Sequence, residues 1–245
     1  MYKSVRWRHH GGDYIEVQEY HDGRYGAPGE PRQKKKKATP QDMERMNRWN
    51  RERLCWRKLV NHFAVNDYFV TLTYRRGERP ADMETAKKDF TAFINKLRRR
   101  YRKAGVQLVW IRNIEVGTRG GWHVHLVLRR IPDLDMHIAE CWTYGRAVLQ
   151  LMYQRGNMKQ LAAYLTKSPA TDPRLKESHY WTSRNLPVPD PEKKGIRGWK
   201  LSDAVRVPAG YYLDKDSYFE GVNLFGYAFR TYILVRIRPG KKRGG

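Results

Sequence analysis

Cysteine is scarce in this chain. Cys55 and Cys141 are the only two, far apart and outside any Cys-x-x-Cys spacing. That excludes a disulfide-stapled secreted fold and a zinc ribbon, and fits a reducing cytosol. Long apolar runs are missing too: no segment approaches the roughly 20 residues needed to span a bilayer. The opening MYKSVRWRHHGGDYIE has no apolar stretch of the signal-peptide kind. A basic helix with a strongly apolar face and a lipidation signal are also lacking, so no membrane partner is expected. No Gly-x4-Gly-Lys-Ser/Thr loop marks an ATP site, and no internal repeat points to a solenoid.

Acidic residues are the minority charge. Forty-nine Lys and Arg stand against 25 Asp and Glu, a formal net charge of +24. Such an excess marks a polyanionic partner, and nucleic acid suits it better than membrane. What is present otherwise describes a folded protein: 40% apolar and 13% aromatic residues over 245 positions. That length suits one domain with an extension, or two small domains.

Residues 1–40 are rich in Gly, Tyr and charge and end in PRQKKKKATP. They are expected to form a basic, flexible N-terminal segment. The following stretch 41–63 reads as a helix, with Met46, Trp49, Trp56, Leu59 and Val60 available to pack. DYFVTLTYRR (67–76) reads as a strand, with Phe69, Thr71 and Thr73 on one face and Val70, Leu72 and Tyr74 on the other. A long helix starts near Asp82 after Pro80, buries Met83, Ala86, Phe90, Phe93, Ile94, Leu97 and Tyr101, and stops at Gly105.

Residues 106–116 and 122–130 then read as a hairpin. A helical patch (136–142), a strand (146–153) and a helix (157–167, capped by Asn157) follow. The order β-α-β-β-α-β-α predicts an α+β, ferredoxin-like (RRM-like) antiparallel sheet for residues 41–178, in which the first and third strands are central neighbours. Residues 179–245 read as a C-terminal extension rich in β, aromatic and basic residues. Its aromatics can stack bases, but they are more economically read as strand residues packing an extra hairpin on the core.

One stretch stands apart. In WHVHLVLRR the residues Trp122, Val124, Leu126 and Leu128 alternate with His123, His125, Val127 and Arg129, the period-two pattern of a half-buried strand. Both imidazoles then share one face, about 7 Å apart, close enough to grip one metal ion. A bare His-x-His is weak; its setting makes it a ligand pair. If apolar residues pair across the hairpin, Val116 lies opposite Trp122 and Ile114 opposite Val124. Glu115 then faces His123 and becomes the expected third ligand, since a one-residue slip would bury a carboxylate. In the ferredoxin-like order Thr71 and Thr73 lie beside the two histidines. Farther on, Tyr164 and Lys167 share a face of the last helix.

FVTLTY (69–74), HVH (123–125) and YLTK (164–167) resemble the three ordered motifs of the HUH endonucleases, which nick single-stranded DNA. The chain is most similar to replication-initiator (Rep) proteins of filamentous-phage and plasmid type. RLCWRKLVNHF before the first motif and SRNL at 183–186 resemble their flanks, so the likeness runs from about Leu54 to Leu186. It implies that Tyr164 is the nucleophile and that His123 and His125, completed by Glu115, hold Mg²⁺ or Mn²⁺ against the scissile phosphate. Lys167 would place a positive charge on that phosphate or on the phenolate. The product would be a 5′-phosphotyrosine link and a free 3′-hydroxyl, later rejoined.

The expected partner is single-stranded DNA at a replication origin, as a plain strand or a hairpin, in the cytoplasm of a bacterial host. Thr71, Thr73, Arg119, Arg129, Arg130 and Arg184 are the candidate DNA contacts. No helicase segment follows, so unwinding is expected of a host helicase; oligomeric state is unreadable. Gln160 stands one turn before Tyr164, so the paired-tyrosine arrangement of some initiators is absent. A nucleophile that follows the histidines disfavours a relaxase, while a single-tyrosine transposase shares this order and stays open. The rival of another class is a non-catalytic RRM-like nucleic-acid-binding module.

The charge excess carries its own test. Affinity for single-stranded DNA should fall steeply with salt, with a log–log slope of roughly −0.7 per phosphate contact. A flat salt response, measured by anisotropy of a labelled oligonucleotide, would contradict a polyanion partner.

Overall fold

Alternation along Tyr68–Tyr74 decides which way the sheet faces. In the computed structural model, Val70, Leu72 and Tyr74 of this strand are buried while Tyr68, Phe69, Thr71 and Thr73 are half-buried. The structure describes residues 2–23, 32–117, 119–152, 158–167, 180–196 and 204–237. The chain divides into two compact units, Met1–Met46 with Val188–Gly245, and Asn47–Pro187.

The first unit is built on strands β1 (Tyr2–His9), β2 (Tyr14–His21), β8 (Glu192–Ile196), β9 (Tyr211–Val222) and β10 (Ala228–Arg236). They form one antiparallel sheet in the order β8-β1-β2-β10-β9. Ile15, Val17, Tyr232 and Leu234 make its small core, with Tyr211, Leu213 and Tyr218 packed against it. Within the sheet, Arg230 Nε donates to the buried Glu19 carboxylate at 2.7 Å. Two expectations are corrected here. Residues 2–21 are strands, not a flexible segment: Val5, Ile15 and Val17 are apolar enough to be buried once the C-terminal strands pair beside them. The C-terminal extension is likewise divided. Its strands β8, β9 and β10 join the N-terminal pair, whereas Tyr180–Thr182 belongs to the second unit.

The second unit carries α1 (Pro40–His62, which begins before its boundary), β3 (Tyr68–Tyr74), α2 (Met83–Lys103), β4 (Trp110–Val116), β5 (Trp122–Leu128), α3 (Leu134–Cys141), β6 (Gly145–Leu151), α4 (Met158–Thr166) and β7 (Tyr180–Thr182). The sheet order β6-β3-β5-β4-β7 is antiparallel throughout. Its first four places are the ferredoxin-like arrangement, and β7 adds a fifth strand beside β4. The expected N-cap Asn157 lies outside the described residues.

One face of this sheet is the core. Val70, Leu72, Ile114, Val124, Leu126 and Leu128 meet Phe90, Phe93, Ile94 and Leu97 of α2 and Leu134 and Ile138 of α3. Each fully buried side chain of this size is worth about 1.5–3 kcal/mol, which is why the strand register is strongly specified. The helix α2 begins where Asp82 caps the Thr85 amide at 2.8 Å and ends before Gly105 at φ +67°. In α1, Cys55, Trp56, Leu59 and Val60 are buried, but Met46 and Trp49 are exposed; the Arg53 guanidinium lies 4.1 Å from the Trp49 ring centroid. The opposite face of the sheet, which holds Thr71, His125 and Glu115, is left for chemistry.

Gly145 opens β6 where β3 passes closest. A β-carbon there would meet Thr73 O at 2.0 Å and Arg75 N at 2.9 Å. Gly145→Ala should therefore force the β3–β6 pair apart and lower stability by about 1–3 kcal/mol. An unchanged urea midpoint would show that the edge gives way freely.

Candidate active site

Hairpin pairing puts the polar residues together. Val116 pairs with Trp122, Glu115 with His123, Ile114 with Val124 and Asn113 with His125, the register that the apolar pattern predicts. On the other side of β5, Thr71 pairs with His125 and Thr73 with His123. These side chains share a face because alternate strand residues do.

His125 is the hub. Its Nε2 lies 2.6 Å from Glu115 Oε1 and 2.8 Å from the Tyr164 hydroxyl, while its Nδ1 lies 3.2 Å from Thr71 Oγ1. Tyr164 OH also donates to Glu115 Oε1 at 3.4 Å. One proton assignment satisfies every group: Nε2–H donates to Glu115, the Thr71 hydroxyl donates to Nδ1, and the phenol donates to the carboxylate. The Phe69 ring lies parallel to His125 at 5.8 Å and meets Tyr164 edge-on at 6.0 Å. The imidazole is 7% exposed and Tyr164 38%, so the histidine is fixed while the phenol stays accessible.

His123 is half-buried, its ring parallel to that of His125 with centroids 6.2 Å apart. Gly121 and Gly117 make room for it, since β-carbons there would stand 3.3 and 3.5 Å from His123 Nε2. Burial, the neighbouring His125 and Arg79 lower its pKa, against the pull of Glu115, so the ring favours the neutral form a ligand requires. Glu115 moves the other way. The hydrogen bond from His125 is the largest cause that holds its carboxyl below the usual range, against the opposing effect of burial. The phenol of Tyr164 is pushed up to about 12, first by burial and then by the charge of Glu115 and the hydrogen bond to it. Left to these residues alone, Tyr164 keeps its proton.

The donor types suit a hard divalent cation: two imidazoles, a carboxylate, and the buried Asn113 Oδ1, which has no hydrogen-bond partner among the described residues. They are not a closed cage, for among the described residues no three His, Cys, Asp or Glu side chains are grouped to hold an ion. Instead Glu115 and His125 are bonded directly.

The remaining candidates are scattered. Lys167 is exposed just past α4, its amide bonded to Tyr164 O at 3.3 Å. Arg119 is exposed in the β4–β5 loop. Thr73 Oγ1 donates to Arg146 O at 3.1 Å. Arg129 and Arg130 lie past Leu128, at the far end of β5 from His123. The Arg129 side chain donates to His62 O at 2.9 Å, and the Arg130 guanidinium lies 5.8 Å from the Tyr68 ring centroid. Arg184 lines a shallow hollow with Arg51, Lys58 and Trp181. Phe69, Arg79 and Asn113 were not anticipated. Alternation already put Phe69 and Asn113 on the site face, but nothing in the sequence brings Arg79 to His123.

Residues 67–169, less than half of the chain, match the family model described as Replication-associated protein, of the ORF2 type. The span contains every residue of the Tyr164 cluster. No curated protein and no solved structure matches the chain. The family match supports a Rep-like replication protein.

The raised phenol is testable. Glu115→Gln removes the negative charge beside Tyr164 but leaves the burial, so the Tyr164 pKa should fall below about 12 yet stay above the free value near 10. Tyrosine-selective NMR titration, with Tyr164→Phe to assign the signal, would detect this. An unmoved pKa would mean that Glu115 does not act on the phenol.

Proposed function

We propose that the protein is a replication-initiator endonuclease that nicks single-stranded DNA at an origin by tyrosine transesterification. The observation that carries this reading is Tyr164 OH, exposed yet 2.8 Å from His125 Nε2 and 3.4 Å from Glu115 Oε1. A phenol placed for packing alone has no need of two proton acceptors within reach. The +24 charge and the family match support the substrate and the setting.

In this reading the Tyr164 oxygen attacks phosphorus and the 3′-oxygen leaves, giving a 5′-phosphotyrosine link and a free 3′-hydroxyl; the reverse step rejoins strands. The phenolic proton passes to Glu115 or His125, the two acceptors at hand. His123, His125 and Glu115 would hold Mg²⁺ or Mn²⁺, with Asn113 Oδ1 a further oxygen. Such an ion polarises the scissile phosphate and favours the phenolate. Thr71 can accept from Nδ1–H, and that tautomer leaves Nε2 free to ligate. Lys167 and Arg79 would add positive charge for the phosphate. A non-catalytic binding module on the same scaffold would not require the Tyr164 cluster. A single-tyrosine transposase would use the same chemistry on a different DNA end.

The test is a labelled random-sequence pool of single-stranded DNA incubated with protein and Mn²⁺. A denaturation-resistant adduct should form, vanish with EDTA and vanish in Tyr164→Phe, whose DNA affinity stays within about twofold because only the attacking oxygen is lost. Adduct formation by Tyr164→Phe at the wild-type rate would remove Tyr164 from the chemistry. Undiminished activity in EDTA would remove the metal.

A further inference from the structure

Four consecutive lysines, Lys34–Lys37, repel one another and would ordinarily ride on a solvated arm. Here they are exposed, but their backbone is clipped to the turn joining β9 and β10. Gln33 N donates to Gly226 O at 2.8 Å and Lys36 N to Leu224 O at 3.3 Å. Arg32 Nε donates to Phe225 O at 2.9 Å while its guanidinium lies 4.9 Å from the Tyr227 ring centroid. The turn is itself firmly made: Asn223 Oδ1 accepts from the Phe225 and Tyr227 amides at 3.0 and 3.1 Å. Gly226 sits at φ +83°, and a β-carbon there would strike Gln33 O at 1.9 Å, so only glycine allows the clip.

Beside the lysines stands a bare aromatic ring. Phe225 is 50% exposed, with Lys35 Nζ 6.0 Å from its centroid. Among the described residues none of the four ammonium groups is ion-paired. Neither the exposed ring nor the aligned charges serve the core of this unit, which lies among Ile15, Val17, Tyr232 and Leu234.

We propose that Arg32, Lys34–Lys37 and Phe225 form a second docking surface for single-stranded DNA, on the unit that does not carry Tyr164. It rests on the reading that the protein acts on DNA. Alternate residues of extended chain lie about 7 Å apart, the scale of one nucleotide of a stretched strand, so Lys34 and Lys36 can follow successive phosphates. Lysine ammoniums act as point charges and carry no base specificity. Phe225 supplies the stacking platform that single strands take and paired bases deny. A membrane surface would want a broad apolar face, and this tip offers one ring.

The experiment uses the full chain, EDTA to prevent cleavage, and a fluorescein-labelled oligo-dT of about 30 nucleotides, long enough to cover more than one binding site. Anisotropy is followed across a salt series. Replacing all four lysines (K34Q/K35Q/K36Q/K37Q) should weaken binding and reduce the log–log slope by about 1.4 or more, the worth of two phosphate contacts. Four Lys→Arg changes should keep the wild-type slope. Phe225→Ala should weaken binding about tenfold without moving the slope.

An unchanged slope in the glutamine variant overturns the proposal. So does a loss confined to a duplex of the same length. The adduct assay separates this proposal from the nickase reading. A reduced slope in a protein that forms no Mn²⁺-dependent adduct supports the docking surface and defeats the nickase. An adduct with an unchanged slope defeats the docking surface alone.

Discussion

One residue of strand register governs the site. Glu115 shares a face with His123 and His125 only because Val116 pairs with Trp122 and Ile114 with Val124. Those apolar neighbours enter the core against α2, and their burial holds the register against slippage. A slip of one place would turn the carboxylate inward and an isoleucine toward the imidazoles. The chemistry of one sheet face is thus secured by the packing of the other.

The same constraint explains the electrostatics. The Glu115 carboxylate bonds to His125 at 2.6 Å and lies 3.4 Å from the Tyr164 hydroxyl. It keeps His125 oriented and keeps the phenol protonated. A nucleophile so restrained is quiet until positive charge arrives beside the carboxylate. That supports the proposal that a cation and a DNA phosphate together complete the site, and that neither is dispensable.

Much of the second unit was legible because its strands alternate cleanly. The core stripe of α2, the faces of β3 and β5, and the placing of Glu115 opposite His123 all follow from periods of 3.6 and 2. The first unit was not legible. Its sheet joins residues 2–21 to strands some 200 positions later, and no local pattern announces a partner so distant. Composition suggested a flexible arm because Gly, Tyr and charge dominate there; the burial of Val5, Ile15 and Val17 outweighed it. Arg79 was missed for a related reason. It stands after a 3-10 turn at Arg76–Glu78, and its approach to His123 depends on loop geometry rather than period. The direct Glu115–His125 bond, where a ligand cage was expected, is likewise a matter of side-chain rotamers that register alone does not determine.

The central claim is that Tyr164 is the group that becomes joined to DNA. The most direct measurement is peptide mapping of the protein–DNA adduct after nuclease trimming, with tandem mass spectrometry to locate the residual nucleotide. The account predicts a 5′-linked nucleotide phosphate on the peptide containing Tyr164, at the phenolic oxygen and on no other tyrosine. A nucleotide found on another residue, with Tyr164 unmodified, would contradict it.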